Sequence, residues 1–178
     1  MSDESVTLHG VFLEVMQTGV LLSGASGVGK SELALELLNR GHRLIADDAP
    51  EFSISERGAI EGRCPAALRD FLEVRGLGIV NVRAMFGDHA VADQAELNII
   101  LRLQAMDVES LAGIDRLRAN HDTFTVLGKS VSRITLPVAP GRNLAILAEV
   151  AVRSHQLILS GYDAATEFTR RQQSSLTG

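Results

Sequence analysis

The run Gly24-Ala25-Ser26-Gly27-Val28-Gly29-Lys30-Ser31 satisfies the pattern G-x-x-x-x-G-K-[ST] at every required position. Those residue types at that spacing suit one task, the holding of a phosphate chain. Glycines let the backbone turn tightly and aim successive N–H groups inward. A helix beginning at the end of the run adds positive potential for anionic oxygens. Lys30 supplies a mobile charge for the β- and γ-phosphates, and the Ser31 hydroxyl is a ligand for Mg²⁺. A plain glycine-rich turn capped by serine has a similar composition. The context argues against it, because a buried strand precedes the run and a helix follows it. The motif by itself leaves the phosphate acceptor open.

Two adjacent acids, Asp47 and Asp48, come next along the chain. Carboxylates at a strand end beside a phosphate loop can hold a metal or accept a proton. Two in one site push one pKa upward, which suits acid–base work. In extended backbone neighbouring side chains point opposite ways, so the pair divides into two tasks. Capping of a turn by one of them is the competing reading. The lone cysteine, Cys64, excludes an intrachain disulfide and reads as a small packing residue, since no base partner can be placed beside it.

Elements must position these groups. Residues 10–16 read as a strand, 17–19 as a turn and 20–23 as a second, more buried strand. Residues 31–40 read as a helix with Leu33, Leu37 and Leu38 on one face and Gly41 at its C-terminal cap. A short strand, 43–46, runs into the two acids. Residues 51–64 read as a hairpin around Glu56-Arg57-Gly58, and 65–72 as a short helix opened by Pro65. Residues 96–103 alternate, with Leu97, Ile99, Leu101 and Leu103 on one side, as in a half-buried strand. The polar stretch 106–122 reads as a loop with some helix, 124–138 as one or two strands, and 143–159 and 164–173 as helices. The whole reads as an α/β fold with a mixed sheet, flanking helices and C-terminal helices.

The chain has 178 residues, 46% of them hydrophobic and 22% charged, the length and composition of one globular domain. Its net charge of −5 argues against a general nucleic-acid binder, and an aromatic content of 4% without tryptophan argues against base-stacking platforms. No apolar run is long enough to span a membrane, and the acidic start MSDESVTLHG is no secretory signal. The cytoplasm is then the default expectation.

Further segments carry a family resemblance. Gly41-His42-Arg43-Leu44-Ile45-Ala46-Asp47-Asp48 after the loop helix, then Leu72-Glu73-Val74-Arg75-Gly76-Leu77-Gly78-Ile79-Val80-Asn81-Val82, resemble the HPr kinase/phosphorylase family, the second being similar to its signature segment. His9-Gly10 and Pro137-Val138-Ala139-Pro140-Gly141-Arg142-Asn143-Leu144 match as well, so the likeness runs from about His9 to Phe168. It implies a P-loop kinase fold similar to the core of phosphoenolpyruvate carboxykinase, and typically a homohexamer. It implies phosphorylation of a serine of the phosphocarrier protein HPr by ATP or pyrophosphate. It also implies removal of that phosphate by inorganic phosphate, giving pyrophosphate.

By the same resemblance Asp48 is the base in one direction and the acid in the other, and His9 is the active-site histidine beside it. Lys30 and the loop Gly24 to Ser31 hold the donor, Ser31 and Glu73 ligate Mg²⁺ with Asp47 as an outer ligand, and Arg116 is the catalytic arginine. The segment 137–142 is used chiefly in dephosphorylation, with Arg142 a candidate for orthophosphate. Each has a bland counterpart: a surface histidine before a strand, a solvated acid at a helix end, a surface arginine in a polar stretch, a plain loop before a helix. The chain departs from the family at Ala25, commonly acidic there. It also starts shortly before His9, so the residues 1–178 are expected to form the catalytic domain alone, without the family's N-terminal domain. A kinase of this fold with another acceptor, and a nucleotide sensor that transfers nothing, are the alternatives. Lys30, Asp48, Glu73 and Arg116 speak against the sensor.

Overall fold

The computed structural model describes residues 4–178. In chain order the elements are β1 (Ser5–Thr7), β2 (Gly10–Val15), β3 (Thr18–Gly24), α1 (Lys30–Asn39), β4 (Arg43–Asp48), β5 (Glu51–Ile54) and β6 (Ile60–Arg63). There follow β7 (Phe71–Val74), β8 (Gly78–Asn81), α2 (Val82–Phe86), β9 (Gln94–Ala105), α3 (Val108–Ala112), β10 (Asn120–Val126), β11 (Lys129–Val138), α4 (Leu144–Leu159) and α5 (Ala164–Leu176).

Nine strands form one mixed sheet and β7–β8 a separate hairpin. β3, β9 and β11 run parallel, while β2 pairs antiparallel with both β3 and β4. The carboxyl ends of β3, β9, β11 and β4 therefore meet the start of β2 at one edge of the sheet. That edge is where open α/β sheets bind ligands.

Alternation sorts the strand side chains into two cores. Val11, Leu13, Leu22, Ile99 and Leu101 pack toward Leu33, Leu37, Ala148 and Val152 of α1 and α4. Phe12, Leu21, Ile45 and Ile100 pack with Phe52, Val126 and Val131 on the other face. The Phe12 and Phe52 rings meet edge to face at 5.1 Å. They close over Gly62, where any Cβ would stand 2.5 Å from both rings.

Three expectations change. The turn between β2 and β3 is Met16-Gln17, both at positive φ, as a tight hairpin demands. Gly19 instead lies inside β3, where a Cβ would come within 1.7 Å of the Glu96 carbonyl. β9 is buried on both faces rather than one. The register shifts where Gly19 pairs with Leu97 and Val20 with Ile99, and Asn98 Oδ1 accepts the Gly19 N–H at 2.8 Å. This irregularity throws Leu97 out of phase with Ile99, into the opposite core. Finally, the helix expected over 65–72 is only one 3₁₀ turn, Ala66–Leu68. Asp70 then takes φ +72 and the chain enters β7, whose Leu72 and Val74 are buried while Phe71 and Glu73 face out.

Candidate active site

The loop between β3 and α1 is shaped by glycine. Gly24 has φ +141, and a Cβ there would stand 2.6 Å from the Leu103 carbonyl. Gly29 caps α1 in a left-handed conformation, φ +111, with no side chain bonding the first helical amides. The first turn therefore presents N–H groups and positive potential at the loop. Lys30 Nζ donates to the Gly24 and Ala25 carbonyls at 2.8 and 3.0 Å, which holds the ammonium over the loop.

The β2–β4 ladder brings the next groups alongside. Gly10 pairs with Asp48 and Val11 with Asp47, so His9 is placed beside the second aspartate. Position 10 admits only glycine, since a Cβ would lie 2.3 Å from the Leu22 carbonyl. His9 Nδ1 is 3.9 Å from Asp48 Oδ1, and both side chains are open to solvent. Asp48 has φ +68 and is the centre of a three-residue turn closed by the Ala49 N–H on the Asp47 carbonyl at 2.9 Å. Such a turn is rare and strained, and aspartate is among the residues that tolerate it best. It lifts the Asp48 carboxylate clear of the strand.

The two acids differ in their surroundings. Asp47 is half-buried, and its Oδ2 accepts the backbone N–H of Glu73 at 2.8 Å. Burial pushes its pKa up, against the lowering effect of that N–H, and the charges of Asp48 and Glu73 push it further the same way. Asp47 thus ties β4 to β7, and β7 turns the exposed Glu73 toward the loop.

A cleft of about 420 Å³ gathers His9, Lys30, Ser31, Asp48, Glu73 and Arg75. Gly24, Ser26, Gly27, Gly29 and Asp47 line it too, whereas Ala25 and Val28 do not. Ser31 Oγ and the Glu73 carboxylate supply hard oxygen donors of the kind Mg²⁺ prefers. Among the described residues no three His, Cys, Asp or Glu side chains group closely enough to cage a metal alone.

Arg75 was not singled out by sequence reasoning. Its Nη1 lies 3.1 Å from where a Gly27 Cβ would stand, so the guanidinium rests on the loop itself. The signal was its place in the segment Leu72 to Val82, two residues beyond Glu73, in the turn that joins β7 to β8.

Arg116 and Arg142 stand elsewhere. Arg116 is exposed on a bend and does not line the cleft. Its neighbour Arg118 bonds Asp163 and Thr166 at the start of α5, which ties the bend to that helix. Arg142 lines a different cavity, between α1 and the β11–α4 loop. Cys64 is buried and burial raises its pKa, as expected of a packing thiol.

A family model described as the HPr Serine kinase C-terminal domain matches residues 2–172. The chain is 49% identical over 172 residues to a protein of Chromobacterium violaceum named HPr kinase/phosphorylase, covering 97% of this chain and 54% of that protein. A protein of the same name from Xylella fastidiosa is 52% identical over 171 residues, covering 96% and 54%. The chain thus spans about half the length of these curated relatives. The solved structure of the HPr(Ser) kinase/phosphatase from Coxiella burnetii superposes with a TM-score of 0.81 at 36% identity, over 92% of this chain and 98% of that one.

Proposed function

The chain belongs to the HPr serine kinase C-terminal domain family, and from that premise we propose that it is the catalytic unit of a bifunctional HPr kinase/phosphorylase. The observation that carries the reading is the Asp48 carboxylate, lifted by a strained turn beside His9 and facing the same cleft as Lys30 and the phosphate loop.

In the forward direction the hydroxyl of one HPr serine attacks the terminal phosphorus of ATP or pyrophosphate. Asp48 takes the serine proton, the phosphoanhydride bond breaks, and ADP or orthophosphate leaves. In reverse an orthophosphate oxygen attacks the phosphoserine phosphorus, Asp48 returns the proton to the serine oxygen, and pyrophosphate forms. One carboxyl serves both directions. Lys30 and the α1 N-terminus stabilise charge on the transferred group. Ser31 and Glu73 would hold Mg²⁺, which neutralises phosphate charge, with Asp47 positioning Glu73 through its backbone. His9 orients the Asp48 carboxylate. Arg116 belongs to this account only as a group that reaches the phosphoryl from a rearranged bend or from a neighbouring subunit.

The proposal includes a homohexamer in the cytoplasm. No residue of α5 is buried and Phe168 and Leu176 are exposed, which supports packing against further chains. Among the described residues no helix is long and apolar enough to cross a membrane.

The test is to incubate the protein with HPr, ATP and Mg²⁺ and weigh HPr by mass spectrometry. One added phosphate on a serine, removed again with release of pyrophosphate when orthophosphate is supplied, is the expected result. Transfer to another acceptor, or tight ATP binding without transfer, would replace this reading with a different kinase or a nucleotide sensor.

A further inference from the structure

Beyond the catalytic cleft, a cavity of about 560 Å³ opens between α1 and the β11–α4 loop. This volume lies within the roughly 300–1,000 Å³ typical of small-molecule sites. Its apolar walls are Val28, Leu33, Val138 and Leu144. Leu33 is buried, and the other three pack with their inner sides against the helix-face core, so the walls are braced. Glu32, Glu36 and Arg142 stand at its polar rim.

This cavity and the catalytic cleft share Gly29 and Glu32, the residues on either side of Lys30-Ser31. The two spaces therefore meet at the first turn of α1. The transferred phosphoryl must lie on the Asp48 side of the loop. Lys30 reaches the β- and γ-phosphates, and the loop amides cradle α and β. The phosphate chain consequently runs from Asp48 toward the helix start, and whatever follows the α-phosphate leaves there. Another cavity touches the loop, but only along Gly24 to Val28 and the end of β9, and nothing from the first turn of α1 lines it.

Charge narrows the choice of occupant. Two carboxylates against one guanidinium disfavour a further phosphate and suit an uncharged sugar and ring. Apolar walls bury the faces of a flat base, a guanidinium stacks on one, and carboxylates accept hydrogen bonds from ribose hydroxyls or an exocyclic amine.

We propose that the cavity between α1 and the β11–α4 loop is the nucleoside subsite, with Val138 and Leu144 as the wall against which the base of a nucleoside triphosphate packs. This rests on the nucleotide reading of the phosphate loop. It gives the segment 137–144 a role in donor choice, because pyrophosphate has no base and leaves the subsite untouched.

The test compares two ligands on one protein. Binding of a non-hydrolysable ATP analogue and of pyrophosphate, each with Mg²⁺, is measured by calorimetry on the wild type and on Val138→Phe and Leu144→Phe, which fill the cavity. The expected result is a loss of analogue affinity of roughly tenfold or more, the scale on which apolar pockets discriminate, with pyrophosphate affinity held within about twofold. Thermal melting checks that the variants fold. Photolabelling of the wild type with 8-azido-ATP supplies an arm independent of the variants, and label is expected within the peptide containing 138–144. Equal losses for both ligands, no loss for either, or label confined to other segments would overturn the subsite while leaving the phosphate loop in place. Failure of the wild type to bind either ligand would overturn the subsite and the proposed function together.

Discussion

Asp48 Oδ1 and His9 Nδ1 stand 3.9 Å apart because backbone register puts them there. Gly10 pairs with Asp48 across the β2–β4 ladder, so the residue before Gly10 and the last residue of β4 emerge together at the sheet edge. The separation exceeds a direct hydrogen bond and is spanned by one water or a small rotation of either exposed side chain. The strained turn at Asp48 is what aims the carboxylate off the strand.

Asp48→Asn is the sharpest test of that carboxylate. Asparagine tolerates positive φ as aspartate does, so the turn survives and only the proton acceptor is lost. Phosphorylation and phosphorolysis of HPr should both fall by about 10²–10⁴, the usual worth of a positioned acid or base. ATP affinity, measured by calorimetry, should stay near wild type. Near-normal transfer by the variant would remove Asp48 from the proton path.

Lys30→Ala separates the phosphate loop from the base-binding cavity. The ammonium bonds two loop carbonyls and lies where either donor's phosphates must pass. Affinities for ATP and for pyrophosphate should therefore fall together, by about tenfold or more. A titration curve that does not move with either ligand would take the loop out of the mechanism.

Arg75→Ala examines a group found only in three dimensions. The guanidinium rests on Gly27 and faces the cleft, so it can stabilise charge that develops on the moving phosphoryl. The expected outcome is a fall in kcat of roughly 10–100-fold with a much smaller change in KM. Arg75→Lys should recover part of the loss, because a point charge restores attraction without the planar fork. A change confined to KM would make Arg75 a binding residue.

How much of this was legible in the sequence depends on the range of the forces involved. The phosphate loop was, because its chemistry is local and its glycines sit at fixed offsets. The contrast between a half-buried Asp47 and an exposed Asp48 was legible only in part, because alternation along β4 is local but the positive-φ turn that aims Asp48 is not announced by its sequence. The β7–β8 hairpin was hidden, since Pro65 is an ordinary helix opener and only tertiary packing of Leu72 and Val74 makes 71–74 a strand. Gly19 misled for a similar reason: glycine signals a turn in sequence, but here it lets β3 approach the Glu96 carbonyl. Arg75 depends on how that unread hairpin folds back over Gly27. Arg116 came from family likeness alone, and the bend that bears it is tied to α5 instead of the cleft.

Far from the chemistry, Glu149 makes an acid-sensitive joint between the loop helix and α4. Its carboxylate accepts from Arg40 Nε and Nη2 at 2.8 and 2.6 Å and meets His42 Nε2 at 2.7 Å. The hydrogen bonds from Arg40 act most strongly, followed among the lowering effects by that from His42, and they hold its pKa down to about 2 against partial burial. A carboxylate whose pKa is lower folded than unfolded binds fewer protons in the native state. Its contribution is therefore complete above the ordinary glutamate value and is lost as pH falls from there toward 2. With solvent screening allowed for, that contribution is about 2 kcal/mol. Glu149→Gln should lower the melting temperature at pH 7 by roughly 4–8 °C. The gap between variant and wild type should close as the pH is brought down from 5 to about 2 in the same melting series. A gap that stays constant through that acid range would mean the joint is held by packing between α1 and α4, with the ion cluster incidental.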